Sequence, residues 1–383
     1  MTAPLPVFDA HVDSLQRALD LGHDLGERTA GHLDLVRGAE GGLAASVFVC
    51  WCDPRHLEPG GEGARRRTER LLDQFHRLAR RHPRRIAWAG NGPLLDAARA
   101  AGRLGGIPGI EGGHSIEESL AVLEGFFEAG VRVMTLVWNN HLSWIRSCQD
   151  GAGPGVPEGL SDFGREVVRA MNRLGMLVDL SHAGERSFYD ALAVCERAPI
   201  ASHSGCRAQN DHPRNLTDDQ LRALAEAGGV VGIVFCTPFL DAEAGRLERL
   251  AREEAAYRGL DGAIDTELFV RQGDWLQENV APLPIERVAD HVLHAVEVAG
   301  VAHVGIGSDF DGIQRRPAGL EDASCYPALT AALRRRGLGE EELRAVFWDN
   351  MARAFRGATG AGTRAEGIDA PTGPGAAPTD RSG

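Results

Sequence analysis

Residues 161–182 read SDFGREVVRAMNRLGMLVDLSH. Ser161 and Asp162 signal a helix start, because a short polar side chain there can accept from N–H groups that the first turn leaves unpaired. A helical pattern runs over Asp162–Leu174, and Gly175 marks its stop, since glycine readily takes the left-handed conformation that ends a helix. Met176–Leu180 is a short run, apolar on most consecutive positions, as expected of a parallel strand covered on both faces. His182 follows directly. The unit is thus a helix, a glycine, a buried strand and an ionisable side chain at the strand's end.

Working outward, seven further segments have strand character: Val7–Val12, Leu43–Cys50, Ile107–Glu111, Val131–Val137, Ile200–His203, Val230–Phe235 and His303–Gly307. Helical stretches lie between them, among them Glu117–Ala129, Asp218–Ala227 and Ile285–Ala299. Thr217-Asp218-Asp219 marks another start, and Gly130, Gly228 and Gly300 mark stops. Alternating β and α elements predict an α/β fold, and eight repeats predict a closed (β/α)8 (TIM) barrel. An open doubly wound sheet is the alternative, weakened because no GxGxxG turn follows the first strand. One barrel domain is expected over residues 1–356, with a charged helical insertion at Asp241–Val280 that shapes the mouth or runs over the surface. Residues 357–383, rich in Gly, Ala, Thr and Pro, read as a disordered tail.

Composition excludes several classes. With 54 acidic against 41 basic side chains the formal charge is −13, which argues against a nucleic-acid partner. The one dense basic run, Arg65 to Arg85, is interleaved with Leu71, Leu72, Phe75 and Leu78 and reads as the wet face of a helix. No apolar run approaches the ~18–20 residues of a membrane span, and Met1–Phe8 lacks the character of a secretory signal. Seven scattered cysteines suggest free thiols in a reducing compartment. The expectation is a cytoplasmic protein with neither a membrane nor a nucleic-acid partner.

Chemistry gathers at the strand ends. His11 and Asp13, in Asp9-Ala10-His11-Val12-Asp13, point to one side through their i, i+2 spacing. Glu111 ends Ile107–Glu111, His182 follows Met176–Leu180, His203 ends Ile200–His203, and Asp309 and Asp311 follow His303–Gly307. A barrel places its active site at those ends. Singly, each residue has an ordinary explanation as a cap, a turn residue or a chance HxD. Gathered at the ends of five strands, these imidazoles and carboxylates suit zinc or a similar divalent ion. They outnumber what one tetrahedral zinc requires, and a carboxylate shared between two ions accounts for the count. Two ions ~3.5–4 Å apart would trap a bridging hydroxide and polarise a carbonyl oxygen.

The motifs DAHVDS, IEGGHSI, GMLVDLSHAG, PIASHSGCR, HVGIGSDFDG and DNMARAF occur in this order. From about Phe8 to Phe355 the chain resembles the membrane (renal) dipeptidases, a branch of the amidohydrolase superfamily. The resemblance implies a dipeptidase with two zinc ions per chain, His11 and Asp13 on the first, His182 and His203 on the second, and Glu111 bridging both. It implies that Asp309 takes a proton from the attacking hydroxide and passes it to the leaving amine. It implies that Arg214, in HPRNLTDD, grips the substrate's C-terminal carboxylate, a task that suits a guanidinium fork. The ordinary reading of Arg214 is a surface salt bridge near a helix start. Asp311 reads as a supporting or turn residue.

One position departs from the best-known members. Where they carry a histidine, TLVWNNHLSW has Trp138; either His141, three residues later, takes over part of the role or the oxyanion relies on zinc alone. Trp138 and His141 are taken as substrate-site residues, with Asn139, Asn140 and Trp144 as further pocket candidates. The implied substrates are small dipeptides, L,D-dipeptides among them, and the family's habit implies a homodimer. Trp138 keeps open a second reading, hydrolysis of another small amide or lactam on the same binuclear site. A catalytically idle scaffold is the third, opposed by the complete ligand set with Asp309.

Overall fold

The structure, a computed structural model, describes residues 4–57, 63–262 and 265–360. Its strands are β1 (Val7–Val12), β2 (Leu43–Trp51), β3 (Ile86–Trp88), β4 (Leu104–Glu111), β5 (Val133–Thr135), β6 (Leu177–Asp179), β7 (Ile200–Ser204), β8 (Val230–Ile233) and β9 (Val304–Ile306). The pairing order is β2-β1-β9-β8-β7-β6-β5-β4-β3, parallel throughout, and β2 also pairs with β4 from Ala45 opposite Gly105 to Trp51 opposite Glu111. That second pairing closes the ring, so eight strands with their surrounding helices make a (β/α)8 barrel. β3 is the addition to the expected strands. It lies beside Leu104–Gly106 at the start of β4, on the edge that β5 takes over from Gly109. At three residues, with only Ile86 fully buried, it is too short to show a pattern.

Caps fall where the sequence places them. Ser161 accepts from the Gly164 N–H, and Gly175 ends that helix at φ 79°. Thr217 and Gln220 form a reciprocal capping box. The helix expected over Glu117–Ala129 starts instead at Leu120, behind a Ser119 cap. Glu117 and Glu118 hold left-handed φ values of 48° and 54°, which cannot continue a right-handed helix.

Early strand residues Phe8, Val47, Ile107, Leu177 and Val230 pack with Trp348, Met351 and Phe355 from the end of the described chain. The Phe8 and Trp348 rings are 6.0 Å apart. This apolar plug fills the N-terminal end of the barrel and leaves the ionisable side chains at the other. A larger apolar cluster, including Phe48, Phe75 and Ile110, joins sheet to helices.

The insertion forms helices Ala242–Ala251, Ala255–Arg258 and Asp265–Asn279, with a small core of Ala251, Tyr257, Leu276 and Val280. It turns toward the mouth, where Thr266 donates to Asp20 at 2.5 Å and Arg55 pairs with Asp265. In the arginine-rich helix Ala64–Arg81, Arg65, Arg66, Arg77 and Arg80 form the wet face. Arg67 corrects that reading, buried against Asp20 and Gln16. Of the expected tail, Gly357–Thr359 still belong to the final helix Asn350–Thr359, and residues 361–383 lie outside the described residues. No described helix is long and apolar enough to cross a membrane.

Candidate active site

At the C-terminal end of the barrel lies a cavity of about 540 Å³, lined by Asp13, Glu111, His182, His203, Arg214 and Asp309 among others. β1 delivers His11 and places Asp13 just before the helix Ser14–Asp20. Glu111, at the end of β4, is the hub. Its Oε1 lies 2.9 Å from His182 Nε2 and 3.3 Å from His203 Nε2. Its Oε2 lies 3.5 Å from His11 Nε2, which is 3.5 Å from Asp13 Oδ2. His11/Asp13/Glu111 and Glu111/His182/His203 each bring three ligand atoms within 4.8 Å of one another, and all five residues are buried. His182 and Asp309 sit at φ 66° and 62°, a backbone region such residues rarely adopt and which is over-represented at functional sites.

The donor set fits cations. His182 Nδ1 lies 2.9 Å from Asn139 Oδ1, which can only accept, so the network puts the ring proton on Nδ1 and leaves Nε2 bare. His182 Nε2 and His203 Nε2 face each other at 3.0 Å, and His11 Nε2 is buried without a hydrogen-bond partner. Imidazole nitrogens crowded around one carboxylate are stabilised by positive charge between them. Burial, then Arg214, lowers the His182 pKa to about 4. Burial, then the charge of His11, holds His203 well below its ordinary value. Both are therefore neutral, the form that binds metal. Burial acts to raise Glu111, but the charge of His11 and the close approach of the three imidazoles hold it well below the usual carboxylate range.

Asp309 is half-buried, open to the cavity but desolvated by the protein around it. Desolvation, with Asp13 and Glu111 nearby, pushes its carboxyl well above the ordinary range against the pull of His11 and Arg214. A carboxyl that can hold a proton near neutrality suits general acid–base work. Asp311 is otherwise engaged. It accepts from Ser14 Oγ at 2.5 Å and the His32 N–H at 2.8 Å, and pairs with Arg17 Nε at 2.6 Å. It thereby ties the Asp309 loop to the helix behind Asp13. Asp311→Ala leaves the buried Arg17 without its ion partner, a change expected to cost about 3–5 kcal/mol. The urea midpoint of the metal-free protein checks this, and an unmoved midpoint would refute it.

Arg214 is 3% exposed and donates to the His203 carbonyl at 3.0 Å, with its guanidinium 5.3 Å from the Phe239 ring centre. Its Nε is buried without a hydrogen-bond partner. This is a buried cation at the cavity wall, not a surface salt bridge.

Residues 1–367 match the profile of the membrane dipeptidase family, peptidase family M19. The chain belongs to that family. Among solved structures, the dipeptidase AC, a metallo peptidase of family M19, is 29% identical, with 93% of this chain and 99% of that chain covered and a TM-score of 0.76. A metallo peptidase from Rhodobacter sphaeroides, liganded with a phosphinate mimic of the dipeptide L-Ala-D-Ala, is 27% identical, with 93% and 99% covered and a TM-score of 0.76. The probable dipeptidase PvdM from Pseudomonas aeruginosa, 21% identical with 93% and 96% covered, shares the fold at a TM-score of 0.80. This M19 enzyme is a metal-dependent hydrolase acting on dipeptides, and the idle-scaffold reading falls away.

In the enzyme, the Trp138 ring stands 6.2 Å from that of His182 and 5.0 Å from that of Trp51. His141 is not among the cavity-lining residues. Its Nδ1 accepts from the Ser147 N–H, and its Nε2 lies 3.3 Å from the Asp150 carbonyl, so the loop holds it to itself. Asn139 reaches the centre instead, through His182. Trp144 is core, 2% exposed and edge-on to Phe163. Sequence reasoning misses Gln16, Trp51, Arg67, Phe239 and Phe269 on the cavity wall. None carries a ligand signature, and Arg67 looks like its neighbours in the basic run.

Proposed function

We propose that the enzyme hydrolyses small dipeptides at a binuclear zinc centre. The observation that carries this reading is the pair of three-ligand sets sharing Glu111. His11 and Asp13 would hold one ion, His182 and His203 the other, with Glu111 between them. When bound, the ions supply Lewis acidity toward the peptide carbonyl and make water acidic enough to attack near neutral pH.

The remaining work falls to the chain. Arg214, backed by Phe239, fixes the substrate's terminal carboxylate and so selects short substrates with a free C-terminus. Asp309 takes the proton of the attacking water and delivers it to the leaving nitrogen as the C–N bond breaks. Trp51, Trp138 and the docked insertion narrow access of bulk water to the cavity. The L-Ala-D-Ala mimic held by the Rhodobacter relative supports including L,D-dipeptides among the substrates. No observation favours another amide or a lactam. Seven free cysteines support work in a reducing, cytoplasmic compartment.

The test is a panel of L,L and L,D dipeptides, each beside its C-terminal amide, on protein of measured zinc content. Two ions per chain and chelator-sensitive cleavage are expected. The free acids should lead their amides by about 30-fold or more in kcat/KM, the equivalent of ~2 kcal/mol for a buried charge pair. Two ions without dipeptide cleavage would move the substrate elsewhere; no metal uptake would sink the centre itself.

A further inference from the structure

We infer that Ser202 and Asp179 form one shared support that aims His11 and His203, imidazoles of different half-sites, at the same time; the inference rests on the binuclear reading above. Asp179 is fully buried and forms, with His11 and His203, a third set of ligand atoms within 4.8 Å. Distance alone makes it a candidate ligand. Its hydrogen bonds assign it a different role. Oδ1 accepts from the Ser181 N–H at 3.0 Å and the Ser202 N–H at 2.8 Å. Oδ2 accepts from Thr135 Oγ1 and, at 2.6 Å, from Ser202 Oγ. A carboxylate offers about four lone-pair directions, and all are taken.

The Ser202 hydroxyl has one proton, which goes to Asp179, and two lone pairs. His203 Nδ1 lies 2.8 Å from that oxygen and His11 Nδ1 lies 3.3 Å from it. Both imidazoles lie nearer to those lone pairs than the Ser181 hydroxyl at 3.4 Å, so each presents an Nδ1–H and turns its Nε2 toward Glu111. The serine's backbone is closely packed by β8 and by the residue that follows β9: a Cβ at Gly232 or Gly307 would fall 2.0 or 1.7 Å from the Ser202 carbonyl oxygen. Outer hydrogen bonds of this kind fix the tautomer and orientation of a ligating histidine. Here a single hydroxyl serves two of them, whereas His182 Nδ1 is held separately by Asn139. Ser202 and Asp179 are positioning residues and touch no substrate.

The contrast between these supports is the test. Stepwise zinc affinities of Ser202→Ala, Asp179→Asn and Asn139→Ala are measured by competition with a chromophoric chelator, with circular dichroism of the metal-free proteins as the control for folding. In Ser202→Ala both affinities are expected to fall by about 10–100-fold. Asp179→Asn, which can turn a donor toward Ser202 Oγ, should follow it; Asn139→Ala should weaken one ion only. Folded Ser202→Ala with both affinities unchanged, or with the loss confined to one ion, overturns the shared support. Wild-type protein that binds fewer than two ions overturns the binuclear reading, and this inference with it.

Discussion

Asp309→Asn is expected to lower kcat by about 10²–10⁴-fold, the range for losing a positioned acid–base group, with both zinc ions still bound. Asparagine keeps the side chain's shape and tolerates the left-handed φ of 62° at this position. The loop stays anchored by its backbone, since the Asp309 N–H donates to the His11 carbonyl at 3.0 Å and the Asp13 N–H to that of Phe310 at 2.8 Å. What is lost is a group that can carry a proton, in surroundings that favour its protonated form. KM should change little, because Arg214, the proposed carboxylate anchor, is untouched. Steady-state kinetics with zinc content measured on the same sample decides it. Undiminished kcat would remove Asp309 from the proton path.

Glu111→Gln is expected to weaken both ions by more than ~100-fold, beyond the loss typical of an outer-shell change. The two carboxylate oxygens face different histidines, Oε1 toward His182 and His203 and Oε2 toward His11. Glutamine offers one neutral oxygen and turns an NH2 group on the other side, either against a cation or against a bare imidazole nitrogen. It also removes the negative charge that offsets His11 in the buried site. Equilibrium dialysis against zinc, followed by turnover at saturating zinc, reads the result. Loss of one ion alone would confine Glu111 to one half-site.

The barrel was legible because its signals are local. The apolar runs of β1, β7 and β8, the Ser161 and Thr217 caps and the Gly175 stop each depend on residues within a turn or two. β3 was not legible, because three residues carry no period. The helix starts three residues after Glu117 because a 3-10 turn, Gly113–Ile116, followed by two left-handed glutamates, keeps the chain out of the helix until Ser119.

The sequence by itself determined which ionisable side chains stand at the strand ends and in what order. Strand alternation and the C-terminal placement of barrel sites suffice for that. Only the tertiary structure decided which of them meet. Barrel closure brings Glu111 against His11, His182 and His203, puts Ser202 between two imidazoles, and engages Asp311 with Arg17 and Ser14. It also turns Arg67 inward while its neighbours stay wet, keeps His141 in its own loop, and docks Thr266 of the insertion on Asp20. Helical and strand periods are set by a residue's near neighbours, whereas these contacts join positions up to hundreds of residues apart. Their partners are fixed by how the ring of strands closes, which no local pattern encodes.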